Sequence, residues 1–322
     1  MGQNYLAVIG VGYWGKNLVR NFAELKVLRS ICDTSAELLK QCQAQYQIST
    51  CLDFNEPLND PDVKAVAIAT PAASHYKIAK AALLAGKDIF VEKPLALDLK
   101  EAEELINIAR QRQRVVMVDH ILRYHPAIVK LKDLIDKGVL GKLQYIYSHR
   151  LNIGKLRREE NILWSFAPHD ISVILDLIEE EPKKIYAFGE DYLQEKVYDT
   201  TMTMMTFSNK LRAHIFVSWL HPFKEQKLVV VGDKNMAVFN DVEEENKLVL
   251  YPHKVEWVHR IPVASKAEFE TIPVEKKEPL REACQHFLEC IQKRSTPKTD
   301  GKEALAVLKV LQQAQLELDK RY

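Results

Sequence analysis

Tyr5-Leu6-Ala7-Val8-Ile9-Gly10-Val11-Gly12-Tyr13-Trp14-Gly15 reads as an apolar strand that breaks into a glycine turn and opens a helix. Each glycine has a physical reason: Gly10 permits the tight turn, Gly12 lets backbone approach a pyrophosphate, and Gly15 lets helix and strand pack closely. The helix start, with Tyr13 and Trp14 in the turn, offers unbonded N–H groups to phosphate oxygens. The next apolar run ends at Asp33, whose carboxylate would accept hydrogen bonds from an adenosine ribose and repel a 2′-phosphate. That selects NAD over NADP, unless Asp33 only caps the turn made with Thr34 and Ser35.

The alternation continues outward from this unit. Residues 5–10, 27–32, 63–70, 88–92 and 115–119 read as strands separated by helical patterns, which means β-α-β units and a parallel sheet. Ser74 is expected to cap one of those helices and Gly86 to end it. In an open parallel sheet, ligands bind beyond the carboxyl ends of the strands. Those ends collect the glycine turn, Asp33, Thr70 with Pro71 and His75, Glu92 with Lys93, and Asp119 with His120.

After residue 122 the pattern changes. A helix over 126–137 precedes strands near 143–150, 183–190, 199–207, 211–219 and 226–232, with a helix near 168–179 among them and two more at 278–293 and 301–320. The fold class is therefore α/β: an N-terminal Rossmann doubly wound parallel sheet, followed by an α+β domain with an open, mostly antiparallel sheet. The expected division is 1–122 for NAD binding and 123–322 for substrate binding and oligomerisation, with the C-terminal helices able to pack back toward the first domain. Thr201-Met202-Thr203-Met204-Met205 sets methionines against threonines on opposite faces. The second face of that sheet either packs on another subunit or turns a threonine stripe to solvent.

Bulk properties fit a soluble two-domain protein that handles a small molecule. The 322 residues are 47% hydrophobic and 28% charged, and the formal charge of +1 provides no basic field for nucleic acid. The five cysteines form neither a Cys-x-x-Cys pair nor a zinc-like spacing with histidine, so no metal site is expected and reduced thiols point to the cytoplasm. No signal peptide or membrane-length apolar run is read, so no membrane partner is expected.

Val91-Glu92-Lys93-Pro94-Leu95 places a charged pair at the end of the fourth strand. The proline biases Lys93 toward extended backbone, which fixes the direction of its side chain. A lysine there can donate to both a cofactor ribose and a substrate hydroxyl and favour a developing alkoxide, while Glu92 screens and orients the ammonium. The glycine turn, Thr70-Pro71 with His75, the Glu92-Lys93-Pro94 turn and the later His169-Asp170-Ile171 resemble the Gfo/Idh/MocA family of NAD(P)-dependent sugar and cyclitol oxidoreductases. The resemblance spans nearly the whole chain. It implies that Lys93 contacts substrate and cofactor, that His169 exchanges the hydroxyl proton, and that His75 lies near the nicotinamide ribose. Many members carry aspartate four residues before that histidine, where this chain has Ser165. Lys93 and His169 are then left with most of the proton chemistry.

Asn152-Ile153-Gly154-Lys155-Leu156-Arg157-Arg158, followed by Leu163-Trp164-Ser165-Phe166-Ala167-Pro168-His169, narrows the resemblance. It is similar to the subgroup that oxidises the 3-hydroxyl of UDP-N-acetylglucosaminuronate (UDP-GlcNAcA) in bacterial surface-polysaccharide, including lipopolysaccharide, biosynthesis. Such a substrate carries a carboxylate and a pyrophosphate, which Lys155, Arg157 and Arg158 can meet; a solvated basic loop paired with Glu159 and Glu160 is the plainer reading. Asn152 joins the substrate set, as does Tyr124 at the expected crevice floor, and Trp164 joins the cofactor set. The resemblance implies a homodimer or homotetramer, and related members differ over whether bound NADH is recycled by a 2-oxo acid such as 2-oxoglutarate. A dehydrogenase of a free sugar, inositol or another nucleotide-sugar is the near alternative. A non-catalytic NAD-responsive binding protein is the far one.

Overall fold

Four-residue runs such as Leu6–Ile9, Ala65–Ile68 and Asp88–Val91 are buried along their whole length, as strands covered on both faces must be. The structure, a computed structural model, describes residues 4–154 and 156–320. Contacts divide it into two units: Met1–Tyr124 with Glu278–Leu308, and His125–Lys277 with Lys309–Tyr322.

In the first unit the order is β1 (Leu6–Ile9), α1 (Gly15–Glu24), β2 (Leu28–Cys32), α2 (Ala36–Tyr46), β3 (Ser49–Cys51), α3 (Asn55–Asn59), β4 (Ala65–Ile68), α4 (His75–Leu84), β5 (Asp88–Val91), α5 (Leu99–Arg112) and β6 (Val116–Val118). All pairings are parallel and the strand order is β3-β2-β1-β4-β5-β6. The order reverses between β1 and β4, which places a ligand crevice at the carboxyl ends of these strands. The sequence reading lacked β3, because Ser49-Thr50-Cys51 is too short and too polar to show an apolar run.

The second unit contains α6 (Pro126–Asp136), β7 (Leu143–Leu151), α7 (Ile162–Ile178), β8 (Lys184–Glu190), β9 (Thr200–Thr206), β10 (Arg212–Ser218), β11 (Glu225–Gly232), β12 (Met236–Asn240), β13 (Leu248–Tyr251), an exposed hairpin β14 (Lys254–Val258) and β15 (Ile261–Ser265), and β16 (Glu270–Thr271). Its eight-stranded sheet runs β16-β13-β12-β11-β7-β10-β9-β8, with only β7 and β10 parallel. Helices α8 (Pro279–Lys293) and α9 (Gly301–Asp319) follow.

Two expectations are corrected here. Helix α7 begins at Ile162 rather than near 168, because the Asn161 side chain accepts the Trp164 N–H (3.3 Å) and caps it, leaving Pro168 inside the helix. On β9 the threonines turn inward: Thr201 and Thr203 are buried, while Met202 and Met204 are 41% and 42% exposed. The outer face is thus apolar, and no threonine stripe meets solvent there.

Candidate active site

At the end of β1 the glycine turn is closed in two places and open in one. Gly10 has φ +92°, and a Cβ there would lie 2.7 Å from the Ala69 carbonyl; a Cβ on Gly15 would lie 2.0 Å from Gly10 O. One on Gly12 would meet nothing within 4 Å. The backbone at Gly12 is therefore clear for a pyrophosphate, while the turn beneath it is locked. No side chain caps α1 and no acidic residue occupies its first turn, which leaves the positive helix end available to phosphate. These residues fit a bound dinucleotide.

Asp33 accepts the Val11 N–H on Oδ2 (2.7 Å) and the Ser35 N–H on Oδ1 (2.8 Å). It braces the glycine turn, a role the sequence reading did not give it, and also caps the turn after β2, as the plainer reading expected. Tyr13 is exposed, with the Lys16 ammonium 5.5 Å from its ring centre. Trp14 turns inward, its indole N–H donating to Asp119 Oδ2 (3.2 Å).

Past β4, the Ser74 hydroxyl lies 2.7 Å from Thr70 Oγ1 and from Pro71 O, so it ties the turn together instead of capping α4 as expected. His75 is 1% exposed; its Nδ1 lies 2.7 Å from Pro94 O and its Nε2 2.8 Å from Thr70 O. Both partners are carbonyl oxygens, and the ring lies between them, joining the β4 turn to the Glu92-Lys93-Pro94 turn. The Lys93–Pro94 peptide is cis.

Glu92 directs its carboxyl inward. One oxygen, Oε2, accepts the Lys93 N–H (3.1 Å), and Asp119 follows the end of the neighbouring strand β6. Burial, then the charge of Asp119, hold Glu92 well above the usual carboxylate range. The charge of Lys93 acts on Glu92 in the opposite sense and is outweighed by burial and Asp119.

Tyr124 is a second correction among the site residues. It is 4% exposed within the apolar core, its hydroxyl lies 3.2 Å from Thr299 Oγ1, and burial pushes that hydroxyl up. Its position just after β6 suggested the crevice floor, but the short turn Ile121–Tyr124 carries it back inside.

The remaining candidates belong to the second unit. His169 is half-buried within α7. The Trp164 indole N–H donates to Gln315 Oε1 (3.0 Å), which the Asn161 amide also reaches (2.8 Å). The Asn152 backbone N–H donates to Ser218 O (3.1 Å). Arg157 and Arg158 are exposed, and Arg157 lies 3.5 Å from Glu160. Lys155 lies outside the described residues. Asp170 is fully engaged, by the Arg150 guanidinium in bidentate fashion (2.7 and 3.2 Å) and by the Ser148 hydroxyl (2.7 Å). It therefore does not substitute for the aspartate absent at Ser165. Among the described residues no group of His, Cys, Asp and Glu is arranged to hold a metal ion, and no helix is long and apolar enough to cross a membrane.

Residues 5–120 match the family described as an oxidoreductase family with an NAD-binding Rossmann fold, and residues 128–238 match the C-terminal domain of the same family, GFO/IDH/MocA. The chain belongs to the Gfo/Idh/MocA oxidoreductase family. It is an NAD-dependent oxidoreductase that acts on CH–OH groups. One Gfo/Idh/MocA relative is the UDP-N-acetylglucosamine 3-dehydrogenase of Acidithiobacillus ferrooxidans, 26% identical over 97% of this chain and 96% of that one. A solved structure of that enzyme superposes with a TM-score of 0.86 at 25% identity, covering 99% of each chain. Inositol 2-dehydrogenase of Salmonella typhimurium is 25% identical over 82% of this chain and 83% of its own.

Sequence reasoning listed Asp119 at a strand end but assigned it no role, and it missed Arg150 and Gln315 altogether. Asp119 meets Trp14 from 105 residues away, and Arg150 sits on a strand whose alternation reports burial but not pairing. No local signal marks such partners in a Gfo/Idh/MocA chain read alone.

Proposed function

We propose that this enzyme oxidises the 3-hydroxyl of a UDP-linked N-acetylglucosamine sugar to the ketone, UDP-GlcNAcA being the leading substrate and UDP-GlcNAc the comparison that tests for the carboxylate. The observation that carries the reading is similarity over 97% of the chain to an enzyme named for that position on UDP-N-acetylglucosamine. When bound, NAD accepts the hydride. Lys93 is the proposed donor to the reacting oxygen, favouring alkoxide character there, and His169 the proposed proton acceptor, since an imidazole titrates near neutrality. Asp33, the 10–15 turn, Thr70, Pro71, His75 and Glu92 shape or support the cofactor site, and Trp164 is retained as a cofactor contact. Arg157 and Arg158, with Asn152 and Lys155, are the proposed contacts to the anionic groups. The product would enter surface-polysaccharide precursor synthesis.

The test is to incubate purified protein with UDP-GlcNAcA, UDP-GlcNAc and inositol, with and without 2-oxoglutarate, following NADH absorbance and product mass. A 3-keto sugar nucleotide supports the proposal, and a preference for UDP-GlcNAcA assigns the carboxylate a partner. Oxidation of inositol alone transfers the reading to the inositol dehydrogenases, to which the chain is also similar. Arg157→Ala with Arg158→Ala is expected to raise KM for the sugar nucleotide by roughly 10-fold or more, with kcat changed less, as the loss of charge-assisted contacts requires.

The homo-oligomer is proposed on the outer face of the large sheet. There Phe188 is 72% exposed, and Met202, Met204 and Phe216 lie beside it on neighbouring strands. An apolar face of this kind on the widest sheet fits a second copy of the chain. Met202→Glu with Met204→Glu is expected to convert the assembly to monomer in sedimentation velocity. An unchanged sedimentation coefficient removes this face as the interface.

A further inference from the structure

Two buried oxygens, Glu92 Oε1 and Asp119 Oδ1, have no hydrogen-bond partner, and their residues directly follow the paired strand ends Val91 and Val118. Two carboxylates are acceptors only and cannot satisfy each other; one proton between them satisfies both oxygens. The remaining oxygens decide where the proton resides. Asp119 Oδ2 accepts the Trp14 indole N–H (3.2 Å), and Glu92 Oε2 accepts the Lys93 backbone N–H (3.1 Å). Asp119 thus receives a donor from a distant side chain, which stabilises charge there, whereas Glu92 receives only the N–H of the next residue in its own turn.

We propose that Glu92 is a neutral acid donating to an ionised Asp119, and that through its second oxygen it is the positioning residue for Lys93. The pair carries one negative charge, not two. Lys93 on the same turn, His120 beside Asp119, Tyr124 in the turn beyond, and Cys284 from α8 are the other titratable groups facing it. His120 is itself occupied by Glu303, with Nδ1 and Oε2 2.7 Å apart. The positioning role rests on the proposed function of Lys93; the shared proton does not.

The location of the proton predicts an asymmetry. In Glu92→Gln the amide oxygen accepts from Lys93 N–H and the amide N–H donates to Asp119, reproducing both bonds of the neutral acid. In Asp119→Asn the oxygen that accepts from Glu92 leaves an NH2 facing the Trp14 N–H, donor against donor. Glu92→Gln is expected to melt within about 2 °C of wild type and Asp119→Asn roughly 5 °C or more below it, on the scale set by one buried unsatisfied group in a chain of this size. The reverse ranking, equal losses, or a gain for both would overturn the proposal.

A second measurement uses no substrate. As pH rises from the ordinary carboxylate range through the raised value of Glu92, the folded state gives up a proton that the unfolded state has already lost, so stability falls across that window. Glu92→Gln has no such proton, and the difference in unfolding stability between it and wild type is expected to narrow in Gln's favour as pH rises. Trp14 emission, isolated by subtracting a Trp14→Phe sample, should titrate over the same window in wild type and stay flat in Glu92→Gln. Identical titrations in the two proteins would overturn the shared proton even if Asp119→Asn does not fold. With the shared proton intact, retained turnover in Glu92→Gln and its loss in Glu92→Ala supports the positioning role. Full turnover in Glu92→Ala overturns that role alone.

Discussion

Replacing Lys93 with Met lowers kcat by roughly 10³-fold while leaving NAD affinity within about threefold of wild type, the scale seen when one donor to a developing oxyanion is removed. Methionine keeps the length of the side chain and removes its charge. The turn that carries it is held by groups the substitution leaves in place: the His75 ring on Pro94 O and the Glu92 carboxyl on the residue 93 N–H. Fold and cofactor site therefore persist, and the loss appears in the proposed chemical step. Steady-state turnover with the substrate from the assay above, paired with NAD titration followed by fluorescence, separates the two. A variant that loses NAD binding in parallel with turnover would place Lys93 in cofactor binding instead of chemistry.

The glycine turn yields the second large effect, divided between two residues. Gly12→Ala places a methyl where no protein atom lies within 4 Å, so the melting temperature is expected to stay within about 2 °C of wild type. That methyl occupies the approach of the pyrophosphate, and NAD affinity should fall on the order of 100-fold, about 2.7 kcal/mol. Gly15→Ala drives its methyl to 2.0 Å from Gly10 O, a backbone atom that cannot rotate away. That overpacking costs about 3 kcal/mol or more, and melting should fall by roughly 6–12 °C. Equal effects of the two substitutions on stability and on binding would show that the turn does not separate packing from ligand approach.

What the sequence disclosed follows the range over which its signals act. The parallel sheet was readable because buried strands such as Ala65–Ile68 are continuous apolar runs punctuated by glycine and helix caps, all local features. Ser49–Cys51 escaped because three polar or small residues carry no period. Helix α7 was begun six residues late, since Pro168 is a common first helical residue and outweighed the weaker capping signal of Asn161. At the site, strand ends could be enumerated, but the state of each side chain could not. Glu92 read as a partner of Lys93 alone, without Asp119, 27 residues away, and Tyr124 read as part of the crevice floor until Thr299 entered the account. Alternation on β9 separated Met202 and Met204 from Thr201 and Thr203, but Met205 shares the threonines' buried face, and which face was covered depended on the helix packed against it.

The return of residues 278–308 to the first unit bears on how this enzyme can be inherited. Leu280, Ala283, Phe287 and Ile291 of α8 share one core with Phe22 and Phe90, the Phe90 and Phe287 rings standing 5.6 Å apart. The nucleotide-binding part is therefore no detachable N-terminal cassette. A gene fusion that exchanged only the first third of the coding sequence would separate Phe90 from Phe287, so new specificities in such a chain are more readily reached by altering loops than by shuffling halves.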